Sequence, residues 1–380
     1  MKALKKTSAT LIAFAVSASA FAGSDLETRV VELEKKMDMI STTTATGVYG
    51  PKTASARAEP NGYGWNLNLD VLYWQTKLGG SSYGYVNNAY GYNVTPIDFK
   101  KTTQTPRFQW DFGIKFGIGY NFDYDKWDSR LEYTYFRNTA QDHVRKLSSP
   151  SAVVSPLLVE GSPLAFASQK KFTESGIIDS YSLEAKGYVD NKFDDLFIDL
   201  GRDFFVSKQL SMRTAFGVEA TWFNLRATAK FNGGNSLSAP VGNNSVTIFA
   251  PGSNAFRFQH ERHFYGIGPR ASFDTKWHLG DGFCFYGNTK AALLFSYVKT
   301  HREGEYTGQI NNNAKIVNNY HMLCPAMKFE LGVMYDKYCM NDTQHFGISL
   351  GYENQYYWGA SFYDTGIGMY GVNLKLQWDF

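Results

Sequence analysis

Few residues in this chain are spaced to do chemistry. His260-Glu261-Arg262-His263 sets two imidazoles three positions apart. On a strand such a pair faces opposite sides, and a metal needs three or four convergent ligands, so no metal or cofactor is expected there. Ser, His and acidic residues are plentiful, yet no G-x-S-x-G elbow or other catalytic constellation stands out, and the expectation is a protein that is not an enzyme. Three cysteines, Cys284, Cys324 and Cys339, make an odd set, which in an oxidising compartment leaves one thiol free or bridged to another chain. Cys339 falls in a predicted turn and is the candidate for an intermolecular disulfide; the alternative is a buried or inward-facing free thiol. The remaining chemistry is electrostatic. Lys115, Arg130, Glu132, Arg213, Glu219, Arg270, Lys290, Lys328, Glu330 and Lys375 all lie on the polar side of alternating segments. Charges in such a row set selectivity when they line a pore, and their basic excess hints at mild anion preference. They could equally pair with one another and fill a narrow interior.

The elements that carry these charges alternate with a period of two. Trp110, Phe112, Ile114, Phe116, Ile118 and Tyr120, with Phe108 before them, share one side, while Asp111, Gly113, Lys115, Gly117 and Gly119 share the other. Alternation of this kind is a strand with one apolar face, and thirteen residues of it suit a tilted membrane-crossing strand of roughly ten residues or more. The pattern recurs from Trp65 to Tyr73, Arg130 to Tyr135, Leu210 to Trp222, Phe283 to Phe295, Lys328 to Val333, Phe346 to Tyr352 and Tyr370 to Phe380. Short polar turns are predicted at 121–128, 206–209, 274–282 and 336–344. Long connections are predicted at 77–106, 137–184, 232–256, 300–319 and 354–368, with 137–184 able to hide a further hairpin. Short turns alternating with long loops are the habit of membrane barrels. The fold class expected is therefore all-β: a transmembrane antiparallel up-and-down β-barrel of about 10–12 strands with a short N-terminal coiled-coil helix. Closure follows from the solvent, because lipid offers no partner to an open edge.

The first residues indicate where the chain goes. Lys2, Lys5 and Lys6, a short apolar run and Ala20-Phe21-Ala22 mark 1–22 as a signal peptide. Leu26, Val30, Leu33, Met37 and Ile40 follow a 4, 3, 4, 3 spacing, so 24–40 is expected to form a periplasmic coiled-coil helix that oligomerises the protein, most simply as a homotrimer. The alternative is an amphipathic helix packing on its own barrel. Residues 41–62 are a linker, and 63–380 the outer-membrane barrel. Of 38 Lys+Arg and 35 Asp+Glu, the signal carries three lysines and no acid. The mature chain is thus balanced, with no basic excess for nucleic acid. Aromatics at 16% and 35 glycines with few aliphatics suit a barrel with aromatic girdles and a polar lumen.

Several blocks resemble a known family. Tyr265-Gly266-Ile267-Gly268-Pro269-Arg270 followed by Phe273-Asp274-Thr275-Lys276-Trp277, Asp199-Leu200-Gly201-Arg202 with Leu210-Ser211-Met212-Arg213, and Gly351-Tyr352-Glu353-Asn354-Gln355-Tyr356-Tyr357-Trp358 are similar to blocks of the Legionella-type major outer membrane proteins, a porin family also found in chlamydia-like bacteria. The likeness covers most of 65–380. It implies an abundant, trimeric general-diffusion porin in the outer membrane, passing small hydrophilic solutes or ions, while the alternation of short turns and long loops puts both termini on the periplasmic side. The final Trp378-Asp379-Phe380 looks like the signature read by the outer-membrane insertion machinery. The reading from another class is a non-conducting surface barrel, an adhesin or structural envelope protein.

Overall fold

In the computed structural model the alternating segments curl into a closed barrel. The structure describes residues 64–87, 101–122, 127–144, 153–156, 184–207, 209–232, 238–241, 244–247, 255–307, 313–339 and 344–380. The signal, coiled-coil and linker segments expected at 1–22, 24–40 and 41–62 lie outside them. Ten long strands form the wall: β1 Gly64–Leu78, β2 Asp111–Asn121, β3 Trp127–Val144, β4 Glu184–Phe205, β5 Leu210–Asn232, β6 Ala255–Gly280, β7 Phe283–Thr307, β8 Asn313–Cys339, β9 Gln344–Tyr357 and β10 Ile367–Asp379. Each pairs antiparallel with its neighbours in the chain, and β1 pairs with β10 to close the sheet. Following directly paired residues from Asp70 through β2 to β6 arrives at Ser296 on β7. Going the other way arrives at Cys284 on the same strand, a stagger of twelve residues (296 − 284). Ten strands with that stagger imply a tilt of about 40° and a backbone radius on the order of 10 Å.

The outer face is apolar where it must be. Phe112 is 73% exposed, Phe216 72% and Phe295 62%, and leucines, isoleucines and valines fill the band between them. In water so wide an apolar surface would aggregate; in lipid it is the solvated face. Aromatics bound the band at both rims. Trp65, Trp277, Phe283, Tyr335, Phe346 and Trp378 mark the end that carries the short turns and the C-terminus. Tyr73, Trp110, Tyr135, Tyr265, Tyr297 and Tyr356 mark the end with the long loops.

The strands run further than the apolar alternation indicates. The predicted turn 274–282 shrinks to Asp281-Gly282, whose φ values of 49° and 81° make a two-residue hairpin of the kind Asp-Gly favours. The predicted loop 300–319 is mostly strand, with β7 reaching Thr307 and β8 starting at Asn313. Both faces of these extensions are polar, since they stand clear of lipid, so no apolar face betrays them. Cys339 is the last residue of β8 and not part of a turn. Phe108 departs from the alternation: it is buried, and pairs with Ala140 while Gly113 pairs with Phe136. Four residues of one strand oppose three of the other there, and this bulge reverses the phase. Within 145–183 the described residues hold one short strand, Val153–Pro156, which joins Gly84–Asn87 and Lys101–Gln104 in a small sheet at the long-loop end.

Candidate functional site: the barrel lumen

All ten charged residues predicted on the polar face point inward, held there by the two-residue period of their strands. Lys115, Arg213, Glu219, Arg270, Lys328 and Glu330 are at most 7% exposed. Arg130, Glu132, Lys290 and Lys375 are half-buried. The basic excess of that set does not survive, because Asp70, Asp128, Asp195, Asp199, Asp203, Asp274 and Glu353 also face inward. Asp70 lies within the clear Trp65–Tyr73 alternation yet is absent from that set, whereas acids such as Asp195 sit in doublets like Asp194-Asp195, where the period alone leaves the phase open.

Near the short-turn end, Arg213 binds Asp128 at 2.5 Å and Asp199 at 2.7 Å, and Arg130 lies 3.5–3.7 Å from Asp274, Asp203 and Asp128. At mid-height the pairs reach across the lumen. Lys115 on β2 donates to Glu353 on β9 at 2.5 Å, three strands away round the wall. Lys328 on β8 donates to Asp195 on β4 at 2.5 Å, four strands away, and lies 3.0 Å from Glu219. Arg270 stands 3.4 Å from both Glu219 and Asp199, and its guanidinium carbon lies 3.4 Å from the Phe197 ring centre. Glu330 accepts from Tyr286 at 2.8 Å, Asn288 at 3.1 Å and Asn373 at 2.6 Å. Gly351 lets Tyr286 and Asn373 pack directly on the backbone, space that any Cβ would take. Asn66, Asn68, Asp70, Ser272 and Asn373 each keep a buried side-chain polar atom without a hydrogen-bond partner among the described residues. Buried polar atoms of this kind call for a partner, which water commonly supplies in proteins.

Above the charges the interior turns apolar. Trp74, Phe136, Phe193, Phe223, Phe264 and Tyr357 are at most 1% exposed and face inward from six strands. Tyr357 on β9 contacts Phe193 on β4, the strand diametrically opposite, with ring centres 5.8 Å apart, and contacts Phe223 at 5.0 Å. Phe223 in turn meets Phe193 at 5.0 Å and Phe264 at 5.7 Å. Rings that touch across a diameter close the lumen at that level. The sequence reading assigned aromatics to the lipid face and missed this layer. Its signal is the aromatic doublet: Tyr73-Trp74, Tyr135-Phe136, Trp222-Phe223, Phe264-Tyr265 and Tyr356-Tyr357 each place one ring in the girdle and one in the constriction.

Residues 358–366 fold over the layer as a lid. Ala360, Ser361 and Phe362 are buried, and Ser361 donates to the Gly79 carbonyl at 2.8 Å. Buried Arg262 donates to the Gly359 carbonyl at 2.7 Å, Asp364 at 2.9 Å and the Tyr320 hydroxyl at 2.9 Å. Tyr363 and Asp364 take φ of 54° and 55°, a left-handed backbone that disfavours side chains, so the lid is held against strain. His260, the inward member of the predicted His pair, lies beyond the lipid band and packs on Phe362 at 4.7 Å, 3.4 Å from Arg302. Burial, then the charges of Arg302 and Arg262, hold it neutral, its pKa pushed down to about 3. His263 faces outward, toward Asn224. Cys284 and Cys324 are buried and face the lumen, Cys284 3.2 Å from His278 Nδ1. The Cys339 side chain lies outside the described set.

A closed antiparallel barrel with an apolar belt, two aromatic girdles and a charged interior is a transmembrane β-barrel. Residues 60–378 match the family model described as Legionella pneumophila major outer membrane protein precursor, and the chain belongs to that outer-membrane family. No curated protein matches it. Among solved structures it is similar to the outer membrane protease OmpT from Escherichia coli at 11% identity, covering 84% of this chain and 97% of that one, TM-score 0.36. The CymD monoaromatic hydrocarbon channel follows at 10% identity, 90% and 96% coverage and TM-score 0.27. A Pseudomonas aeruginosa FadL homologue stands at 9%, with 84% and 90% coverage and TM-score 0.22. At these scores none of them carries a functional argument.

Proposed function

We propose that this protein is an outer-membrane porin for small hydrophilic solutes and ions, here with its lumen closed. The observation that carries the reading is the half-lumen of inward charges interleaved with buried polar atoms that water would satisfy. A barrel that only anchored loops would be served as well by an apolar filling, since buried ion pairs are weak contributors to stability. The inward acids outnumber the bases of the predicted set once Asp70, Asp128, Asp195, Asp199, Asp203, Asp274 and Glu353 are added, so the expected selectivity is weakly cationic. In this reading the signal 1–22 delivers the chain, both termini and the short turns face the periplasm, and the loops face outward. The helix 24–40 assembles a homotrimer through Leu26, Val30, Leu33, Met37 and Ile40, and residues 63–380 form the barrel. Passage requires the Tyr357–Phe193–Phe223 contact and the lid at 358–366 to part. No cofactor takes part. The test is single-channel recording in a planar bilayer under a salt gradient: open steps with a cation-selective reversal potential support the porin, and silence from folded protein rejects it.

One observation favours a second reading. Aromatic contact across a full diameter is what a permanently sealed structural or adhesive barrel would show. Variants that remove those rings separate the two, since a gated porin opens further while a structural barrel only loses stability.

A further inference from the structure

The wall outside the long-loop girdle carries a row of direct cross-strand neighbours: Arg137, Lys192, Asn224, His263, Lys299 and Asn319, running from β3 to β8. Every one faces outward, and none is acidic. The row beneath holds Tyr135, Trp222, Tyr265 and Tyr297, the aromatics that mark the edge of the lipid band. The basic row therefore stands at headgroup height, where lysines reach anionic groups while their stems cover apolar surface.

Acids near the row are mostly spoken for. Asp194, one step below, accepts from Arg137 at 2.8 Å and from the Tyr133 hydroxyl at 2.7 Å. Glu261, one step above, pairs with Arg226 at 2.7 Å and lies 3.8 Å from His301. Asp190, also one step above, makes no ion pair among the described residues. Lys192 and Lys299 are exposed and likewise unpaired among the described residues, three strands apart, roughly 14 Å at strand spacing. Asn224 and His263 sit between them as hydrogen-bonding groups. Two cations at that spacing, with polar groups between and a ring row below, fit a headgroup that bears two phosphates on a sugar and several acyl chains.

We propose that this row is a docking site for a phosphorylated glycolipid of the outer leaflet, held by Lys192 and Lys299. The proposal rests on the reading that the long loops face outward. The test folds the protein in phosphatidylcholine bicelles and measures binding of bis-phosphorylated lipid A by native mass spectrometry, against its dephosphorylated form and against phosphatidylglycerol. Wild type should prefer the phosphorylated glycolipid, and the double variant K192Q/K299Q should bind it about thirtyfold more weakly. Both lysines lie outside the lumen, so conductance should not change. Equal binding by wild type and variant overturns the site. Phosphatidylglycerol binding as tightly as lipid A overturns the glycolipid in favour of any anionic lipid. Orientation is read separately by labelling a Glu305→Cys variant against wild type on intact cells, at an exposed position near the long-loop end of β7: labelling above wild type upholds the outward loops, and its absence removes that premise whatever the lipid result.

Discussion

Lys328→Met tests whether the lumen is held shut by charge pairs that span it. Lys328 Nζ lies 2.5 Å from Asp195 and 3.0 Å from Glu219, and the three side chains are 8%, 2% and 1% exposed. Among the described residues, Asp195 keeps only the Thr221 hydroxyl at 2.7 Å once the lysine is gone. Glu219 keeps Arg270, which also serves Asp199. Asp195 is then a buried carboxylate with no cation beside it among those residues, and Glu219 shares its one guanidinium with Asp199. Breaking a buried pair from one side costs about 3–5 kcal/mol, because the partner's charge stays behind. Removing all three charges in Lys328→Met/Asp195→Asn/Glu219→Gln should restore most of that, as neutral replacements of buried ion groups are often neutral or stabilising by about 1–4 kcal/mol. The assay is urea unfolding from lipid vesicles, followed by tryptophan fluorescence. The single variant should be the weakest of the series and the triple near wild type. A single variant within about 0.5 kcal/mol of wild type, the range of ordinary surface changes, would refute the reasoning by showing that water already screens the pair.

Three further outcomes follow from particular residues. Phe216→Arg places a charge on the lipid face at the centre of the band and should destabilise the barrel by about 2–4 kcal/mol, while Thr228→Arg, above the band on the same strand, should stay within about 1 kcal/mol; equal unfolding midpoints would contradict the membrane placement. His260 has its pKa lowered to about 3. The packed lid therefore refuses a proton that the opened lid takes up, so its stability is complete above about pH 6.5 and declines as pH falls toward about 3, by roughly 2–3 kcal/mol at pH 4.5. Hydrogen exchange of residues 362–365, corrected for the intrinsic rate, should accelerate at pH 4.5 in wild type and much less in His260→Phe; identical acid responses would remove His260 from the lid. Gly282→Val forces a β-branched side chain onto φ 81°, toward the Asp336 carbonyl, and should slow barrel folding and lower stability by at least about 1 kcal/mol, whereas Asp281→Gly should be tolerated.

How much of this was legible in the sequence depends on which solvent each face meets. From Trp65 to Tyr73 or Phe346 to Tyr352 one face meets lipid and the other does not, so the period of two shows at once and fixes which charges turn inward. Beyond the girdle the outer face no longer meets lipid, so strands such as 298–307 and 313–322 lose the outward apolar row that marks a barrel strand; they are set by pairing with neighbours already in register. Phe108 was misplaced because a single extra residue near Gln109 and Trp110 reverses the phase, a cue that resides in the partner strand. Partners across the lumen, Lys328 with Asp195 and Tyr357 with Phe193, are out of reach of any local pattern, since strand number and stagger decide who meets whom.

The most direct test of the account is to record single channels from wild type beside a Phe193→Ala/Tyr357→Ala variant, both folded in the same bilayer and salt gradient. The account predicts brief, small, weakly cation-selective openings for wild type and longer, larger ones of the same selectivity once the rings are gone. Silence from both, with the barrels intact, would contradict it and leave a sealed envelope protein.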